Sequence, residues 1–280
     1  MQTIRQLDAL RESVRGFRAA GERIVLVPTM GALHAGHMAL VDTARRHGDR
    51  VVVSIFVNPR QFAPGEDFSR YPRQEHRDAR MLSEAGVDLL WMPPAEVMYP
   101  ADFATSIVMS GVSEPLEGAH RPGHFDGVAT VVAKLLNQVQ PDAAIFGEKD
   151  FQQLAVIRRM VADLDMPVTI IGMLTQREDD GLAMSSRNGY LVEEDRKAAV
   201  AMPRALGVAE RAISEGRDPQ AALEQAREIL TAAGFEIDYV ALVDSETLGE
   251  PVAGKPRRLL AAAKIHGTRL IDNVPVNGDG

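Results

Sequence analysis

RIVLVPTMGALHAGHMALVDTARRHGDRVVVSIFVN, Arg23–Asn58, decides the fold. RIVLVP (Arg23–Pro28) is a short apolar run fit for a buried strand. VVVSIFVN (Val51–Asn58) is a second, rich in β-branched residues and suited to burial on both faces. Between them HMALVDTARRH places Leu40, Val41 and Ala44 at helical spacing. Strand, helix and strand in succession predict two parallel strands joined by a right-handed crossover.

The alternation continues outward. RQEHRDARMLSEAGV predicts a helix that stops at Gly86, DLLWMP a short strand, and GVATVVAKLLNQV (Gly127–Val139) a strongly periodic helix. AAIFG (Ala143–Gly147), KDFQQLAVIRRMVADL and VTIIGML then read as strand, helix and strand. The expected class is α/β: a Rossmann-like open parallel sheet over residues 1–175. After about Thr175 the texture changes. A Gly-, Ser- and Asp-containing loop, REDDGLAMSSRNGY, leads to helices in LVEEDRKAAVAMPRAL and DPQAALEQAREILTAAG, then to strands in FEIDYVALVD and RLLAAAKIHGTRLIDNV. That order predicts a smaller α+β domain over residues 176–280, with the terminal VNGDG frayed.

Composition narrows the function. The 280 residues contain no cysteine, which excludes disulfides, thiolate metal sites and cysteine nucleophiles. MQTIRQLDALRESVR reads as an amphipathic helix with no apolar signal core, and no run approaches the roughly 18 apolar residues of a membrane span. The expectation is a cytoplasmic protein with no membrane partner. A net charge of −8 argues against nucleic acid as a partner, although a local basic pocket can still bind phosphates.

The strongest chemical signal lies in VPTMGALHAGHMALV (Val27–Val41). An open parallel sheet places ligands at the carboxyl ends of its strands, where helix N-termini offer free N–H groups to phosphate. Gly31 and Gly36 permit close backbone approach, and His34 and His37, three residues apart, share one side of a first helical turn. Two imidazoles there can donate hydrogen bonds to phosphate oxygens. A surface loop with incidental histidines is the bland alternative. A metal pair is disfavoured, because the zincin pattern needs other spacing and no third ligand is near.

H-x-G-H after a strand is similar to the HIGH signature of the nucleotidyltransferase superfamily. Together with FVNPRQF (Phe56–Phe62), YPR (Tyr71–Arg73), RPGHFDGVATVVAKLLN (Arg121–Asn137), FGEKDFQQL (Phe146–Leu154), DGLAMSSRNGYL (Asp180–Leu191) and, weakly, TRLIDN, it resembles the pantoate–β-alanine ligase family. The resemblance implies that ATP and pantoate give a pantoyl adenylate and pyrophosphate, and that β-alanine then displaces AMP. It implies ATP contacts at Met30, Gly31, Ala32, Leu33, His34, Ala35, Gly36 and His37, at Gly147, Glu148, Lys149 and Asp150, at the main chain of Gln176, and at Met184, Ser185, Ser186 and Arg187. His37, His34, Lys149, Ser185, Ser186 and Arg187 would carry the catalysis, His37 foremost. Gln61 and Gln153 would bind pantoate, with Asn58 and Met30 lining its pocket. Residues 1–175 would then hold nucleotide and pantoate, and residues 176–280 would carry the SSRN phosphate loop. Magnesium is implied, held chiefly by ATP phosphates rather than by a protein metal site, and so is a homodimer.

Blander readings stand beside these. Asp150 suits a helix cap, Lys149 a solvated charge, either glutamine a surface residue, and SSRN a helix-capping loop ending in turn chemistry at Asn188–Gly189. Asp78 reads as a solvated helical carboxylate, with a water-mediated magnesium contact as the alternative. His120 and His124 read as members of a mobile loop or a dimer contact. Three other functions compete: a nucleotidyltransferase acting on a phosphorylated acceptor, a tRNA-charging protein, and a nucleotide-sensing module without turnover.

Overall fold

Strand residues point alternately to opposite faces, so a strand buried on both sides needs apolar residues throughout. β2 (Ile24–Thr29) meets that need at the centre of a six-stranded parallel sheet of order β1-β4-β3-β2-β5-β6. Its neighbours are β3 (Arg50–Ile55) and β5 (Ala143–Gly147); β4 (Leu89–Trp91), β6 (Thr169–Met173) and β1 (Gln2–Ile4) lie farther out. Ile24 and Leu26 face a cluster built with α1 (Leu7–Ala19), α6 (His124–Val139) and α7 (Phe151–Asp163). Val25 and Val27 face the other side, against α2 (Ala35–His47) and α3 (Glu75–Glu84). Two short helices, α4 (Ala95–Met98) and α5 (Glu117–His120), lie in the long connection from β4 to α6. The strand order reverses between β2 and β5, which opens a crevice at their carboxyl ends.

The computed structural model describes residues 1–276. The fraying expected of VNGDG falls outside them from residue 277 onward, while Val276 closes a strand and pairs with Arg257. The amphipathic helix expected from Met1 begins only at Leu7. Gln2–Ile4 instead forms the edge strand β1, paired with Leu89–Trp91. Three residues are too few to show a period, and their register is set by β4.

Beyond β6 the chain forms α8 (Glu193–Ala199), α9 (Ala201–Ser214) and α10 (Pro219–Ala232). They pack on an antiparallel sheet of β7 (Glu236–Asp244), β8 (Arg257–Ile265) and β9 (Thr268–Val276). Pro203 explains the break between α8 and α9, because its ring displaces the carbonyl four residues back, that of Ala199. Asp218 caps α10 through Gln220 and Ala221, with Pro219 at the first helical position. The β8–β9 hairpin turns on His266 (φ 41°) and Gly267 (φ 84°), both left-handed as a tight two-residue turn requires. No helix among the described residues is long and apolar enough to cross a membrane.

Leu26 is fully buried in the central strand. Leu26→Ala is expected to lower the unfolding free energy by about 2–5 kcal/mol, read from urea titration. A loss below about 1 kcal/mol would contradict its central place in the core.

Candidate active site

The turn after β2 is left-handed at Gly31 (φ 81°) and at Ala32 (φ 51°). A Cβ on Gly31 would lie 3.1 Å from both Asp78 Oδ2 and Ile55 Cγ2, so the position favours glycine on conformation and on space. The turn turns its amides inward. Asp78, only 1% exposed, accepts from Ala32 N (2.8 Å) and Leu33 N (3.0 Å). This corrects the reading of Asp78 as a solvated helical carboxylate. Both its oxygens serve the turn, and it lies outside the lining of the neighbouring cavity, which removes the ground for a magnesium contact there.

His34 is the N-cap of α2, and its Nδ1 accepts from Gly36 N at 3.2 Å. His37 reaches back, its Nδ1 accepting from His34 N at 3.3 Å. This is a capping box built from imidazoles. A Cβ on Gly36 would come within 2.9 Å of the His34 ring, so the second glycine protects the cap. Each Nδ1 is occupied as an acceptor, which places the proton of the neutral ring on Nε2. Burial, with Lys149 adding to it, lowers the His34 pKa to about 4. Burial, then His34 and Lys149, lowers that of His37 to about 3. The pair therefore stands at neutral pH as two uncharged Nε2–H donors, with ring centroids 4.1 Å apart.

Both histidines line a cavity of 240 Å³ at the carboxyl ends of β2 and β5. It gathers Met30, Gly36, Gln61, Gly147, Lys149, Asp150, Gln153, Gln176, Met184, Ser185, Ser186 and Arg187 from the expected set. Gly31, Ala32 and Leu33 are buried behind it, and Ala35 is exposed beside it. It opens into a 920 Å³ cleft beside the antiparallel sheet, which shares Lys149, Asp150, Gln153, Ser185 and Arg187.

Lys149 lies on a single 3-10 turn, Glu148–Asp150, between β5 and α7, with its side chain 19% exposed and Nζ 3.9 Å from Asp150 Oδ1. Asp150 occupies the N-cap position of α7 without a side-chain capping bond and stays 48% exposed, which leaves its oxygens open to the cavity. Glu148 points elsewhere and pairs with Arg258 at 3.0 Å. Gln61 is held from both ends, accepting from Asn58 Nδ2 (3.0 Å) and donating to Met30 Sδ (3.3 Å). Asn58 does not line the cavity. It is buried behind Gln61, bonded also to Gly127 O, Arg60 N and Tyr99 Oη. Gln153 faces the cavity, whereas Gln152 beside it bonds to Glu117 N, Val112 O and Pro115 O.

The SSRN loop is both a cap and a cavity wall. Ser185 Oγ accepts from Arg187 N (3.2 Å) to cap a short 3-10 helix, and Ser186 Oγ donates to Ala32 O (3.1 Å). Arg187 forks onto Asp67, with Nε and Nη2 each 3.0 Å from a carboxylate oxygen. Burial works against both charges, and the pairing outweighs it: Asp67 is held below its usual range and Arg187 above. Gln176 meets the cavity with its main-chain oxygen bonded to Met184 N (2.9 Å) and its side chain exposed.

Sequence reasoning missed Asp67, Arg121 and His124 as members of the site. His124 Nδ1 donates to Gln61 O at 2.8 Å, and its Nε2 accepts from Arg121 at 3.1 Å. Burial, then Arg121, lowers its pKa to about 4, so it is a neutral brace of the glutamine loop. The only signal in the sequence was its place in RPGHFDG. His120 lies in the larger cleft, its ring 5.8 Å from that of Tyr239.

Comparison with known proteins gives matches over nearly the whole chain. A family model described as pantoate-beta-alanine ligase matches residues 2–275. The pantothenate synthetase of Rhizorhabdus wittichii is 60% identical over 279 residues, 99% of either chain. That of Sphingopyxis alaskensis is 55% identical over 99% of this chain and 100% of its own. A crystal structure of the Thermus thermophilus pantothenate synthetase superposes with a TM-score of 0.93 at 50% identity, covering 99% of both chains. The Francisella tularensis pantoate-beta-alanine ligase, crystallised with beta-gamma ATP and β-alanine, gives 0.84 at 34% identity over 98% of this chain and 97% of its own.

The histidines generate a pH prediction. Their folded pKa values, about 4 and about 3, lie below the ordinary 6.5, so the unfolded chain binds more protons across that interval. Their contribution to stability is complete above pH 6.5 and declines as pH falls toward 4. Imidazole NMR titration is expected to show neither ring protonating above about pH 5. A midpoint near 6 for either ring would refute the desolvated pair.

Proposed function

The chain belongs to the pantoate–β-alanine ligase family and condenses pantoate with β-alanine at the expense of ATP; we propose that it does so through a pantoyl adenylate formed in the 240 Å³ cavity. A carboxylate is a poor acyl donor because oxide would have to leave. Its oxygen therefore attacks the α-phosphorus, the bond to the β-phosphate oxygen breaks, and pyrophosphate departs. The β-alanine amine then attacks the acyl carbon, AMP leaves, and the ammonium formed gives up a proton.

The observation that carries this reading is the convergence of donors from separate parts of the chain on one cavity: His34, His37, Lys149 and the Ser185–Arg187 loop. The first step moves negative charge onto the departing pyrophosphate, and fixed donors in a poorly hydrated site stabilise it most. The two Nε2–H groups contribute without a second buried charge, Lys149 adds a mobile cation, and Arg187 adds a planar fork that phosphate would share with Asp67. Gln61 and Gln153 present amide donors and acceptors, which suit the hydroxyls and carboxylate of pantoate better than a phosphorylated acceptor. Asp150, its carboxylate open to the cavity, would accept from the ribose hydroxyls, and the main chain at Gln176 would meet adenine.

Magnesium fits as an ion carried by the triphosphate, because the described residues offer no group of three or more His, Asp or Glu that could hold it. When bound it would supply neutralising charge to the phosphates, and Asp150 is a carboxylate on the cavity lining. Separate sheets and cores support a division near residues 175 and 176. Family membership supports a cytoplasmic homodimer.

Incubation with ATP, magnesium and D-pantoate is expected to give pantoate-dependent pyrophosphate exchange without β-alanine, and AMP once it is added. Formation of ADP and phosphate would exclude the adenylate. His37→Ala and Lys149→Ala are each expected to slow single-turnover adenylation by roughly 10²–10³-fold with the fold retained. Near-normal rates would remove them from the catalytic set.

A further inference from the structure

TRLIDN (Thr268–Asn273) shares in the family resemblance, yet none of the chemistry above uses it. It lies on β9, and three of its side chains reach separate anchors. Arg269 donates to both oxygens of Glu117 (2.7 and 2.6 Å) and to Asp238 (2.6 Å). Asp272, its side chain 1% exposed, accepts two bonds from the Arg177 guanidinium at 2.7 and 2.9 Å. Asn273 donates from Nδ2 to Glu148 O and Lys149 O, both at 2.9 Å, and accepts from Arg258 Nε at 2.7 Å. Arg258 in turn pairs with Glu148 and lies 4.2 Å over the Phe151 ring.

Two of these anchors hold the pieces of the phosphate site. Lys149 and Asp150 sit on a single turn whose first two carbonyls are both taken by the Asn273 amide. Arg177 opens the loop that carries Ser185–Arg187. It pairs in a β-bridge with Ala183 and donates to Gly181 O at 2.9 Å, which closes the stem of that loop. Consecutive strand residues point to opposite faces, so Asp272 and Asn273 can grip two different segments from one stretch of backbone. All of these polar groups are partnered, and a satisfied buried network is rigid.

We propose that β9 is a positioning element for adenylation: Asp272 and Asn273 set the spacing between Lys149 and the Ser185–Arg187 loop, so that both meet one triphosphate. This rests on the adenylate reading above. Neither residue lines the 240 Å³ cavity, and both line the wider cleft beside it, so toward the triphosphate each acts through the segment it holds. Charge-stabilising donors must lie within hydrogen-bond reach of the developing charge, and a displacement of about 1 Å costs on the order of 100-fold in rate.

The test uses two near-isosteric variants of the full chain. Asn273→Asp keeps the acceptor for Arg258 and removes the donor to the two carbonyls. Asp272→Asn keeps the volume and removes the charge facing Arg177. In each, kcat for pantoate-dependent pyrophosphate exchange is expected to fall about 10- to 100-fold, with KM for pantoate unchanged within about twofold. In a Lys149→Ala background, Asn273→Asp is expected to cost less than about threefold more, because the group it positions is gone. A loss of the same size in that background, a parallel rise in pantoate KM and fall in thermal midpoint, or an unchanged kcat would each overturn the proposal. Calorimetric binding of a non-hydrolysable ATP analogue provides a second arm, expected to be about tenfold weaker in both variants. Absence of exchange in the parent protein would sink the adenylate route alone. The role of β9 would then be judged on the calorimetry, where unchanged affinity in both variants overturns it and weakened affinity upholds it.

Discussion

A single buried carboxylate fixes the turn that follows β2. Gly31 and Ala32 are both left-handed, which for alanine costs about 1–2 kcal/mol, and such a residue persists only where its surroundings over-determine it. Ala32 is tied at both polar groups: its N–H donates to Asp78, and its carbonyl accepts from Ser186. The strained residue thus joins α3 to the serine loop at the head of the central strand. His34 follows two residues later and caps α2 with its ring. Releasing Asp78 would free the amides of Ala32 and Leu33 and the conformation that delivers the cap.

The electrostatics follow from that placement. Histidines on an exposed turn would titrate near their ordinary value, whereas burial beside Lys149 keeps these two neutral. The protein thereby obtains two directed donors without the cost of burying two further cations. Positive charge comes from groups that can bear it: Lys149, with partial access to solvent, and Arg187, paired with Asp67. Asp67 keeps the half-buried guanidinium compensated and its plane fixed. Arg121 stands in the same relation to Glu66, while also bonding to His124 and to the carbonyl of Gln61.

Much of this was legible in the sequence, and what was not has physical reasons. Strands β2 to β6 announced themselves through apolar runs, and the crossover helices through their spacing, because burial on both faces leaves a plain pattern. β1 did not, since three residues contain no period. The cavity-lining residues Lys149, Gln153, Ser185 and Arg187 were recognisable through their motifs. For groups that act from behind the cavity, the resemblance marked Asn58 and Asp78 as near the site but not what they do there. Asp78 looks like any carboxylate on an amphipathic helix, and Asn58 like any polar residue after a strand. Their roles depend on which backbone amides or side chains the fold brings against them. Asp67 and Arg121 became visible only with their partners, across 120 residues to Arg187 and 55 to Glu66.

The same charges bear on the second half of the reaction. β-Alanine arrives as an ammonium, and only its neutral amine can attack an acyl adenylate. Lys149, Arg121 and Arg187 line the passage where the 920 Å³ cleft meets the smaller cavity. Each of these cations stands beside a carboxylate, Lys149 by Asp150, Arg121 by Glu66 and Arg187 by Asp67, so partial desolvation is the effect that favours the neutral amine. The buried histidines, already neutral, add no further positive charge there. On the proposed route, the partly desolvated lining that receives pyrophosphate therefore also favours the neutral amine once pyrophosphate has gone. One set of side chains can then serve both steps without a dedicated base at the amine, provided the lining keeps its geometry between them. That requirement falls on the groups behind the cavity wall: Asp78, Asn58, and the pair Asp272 and Asn273.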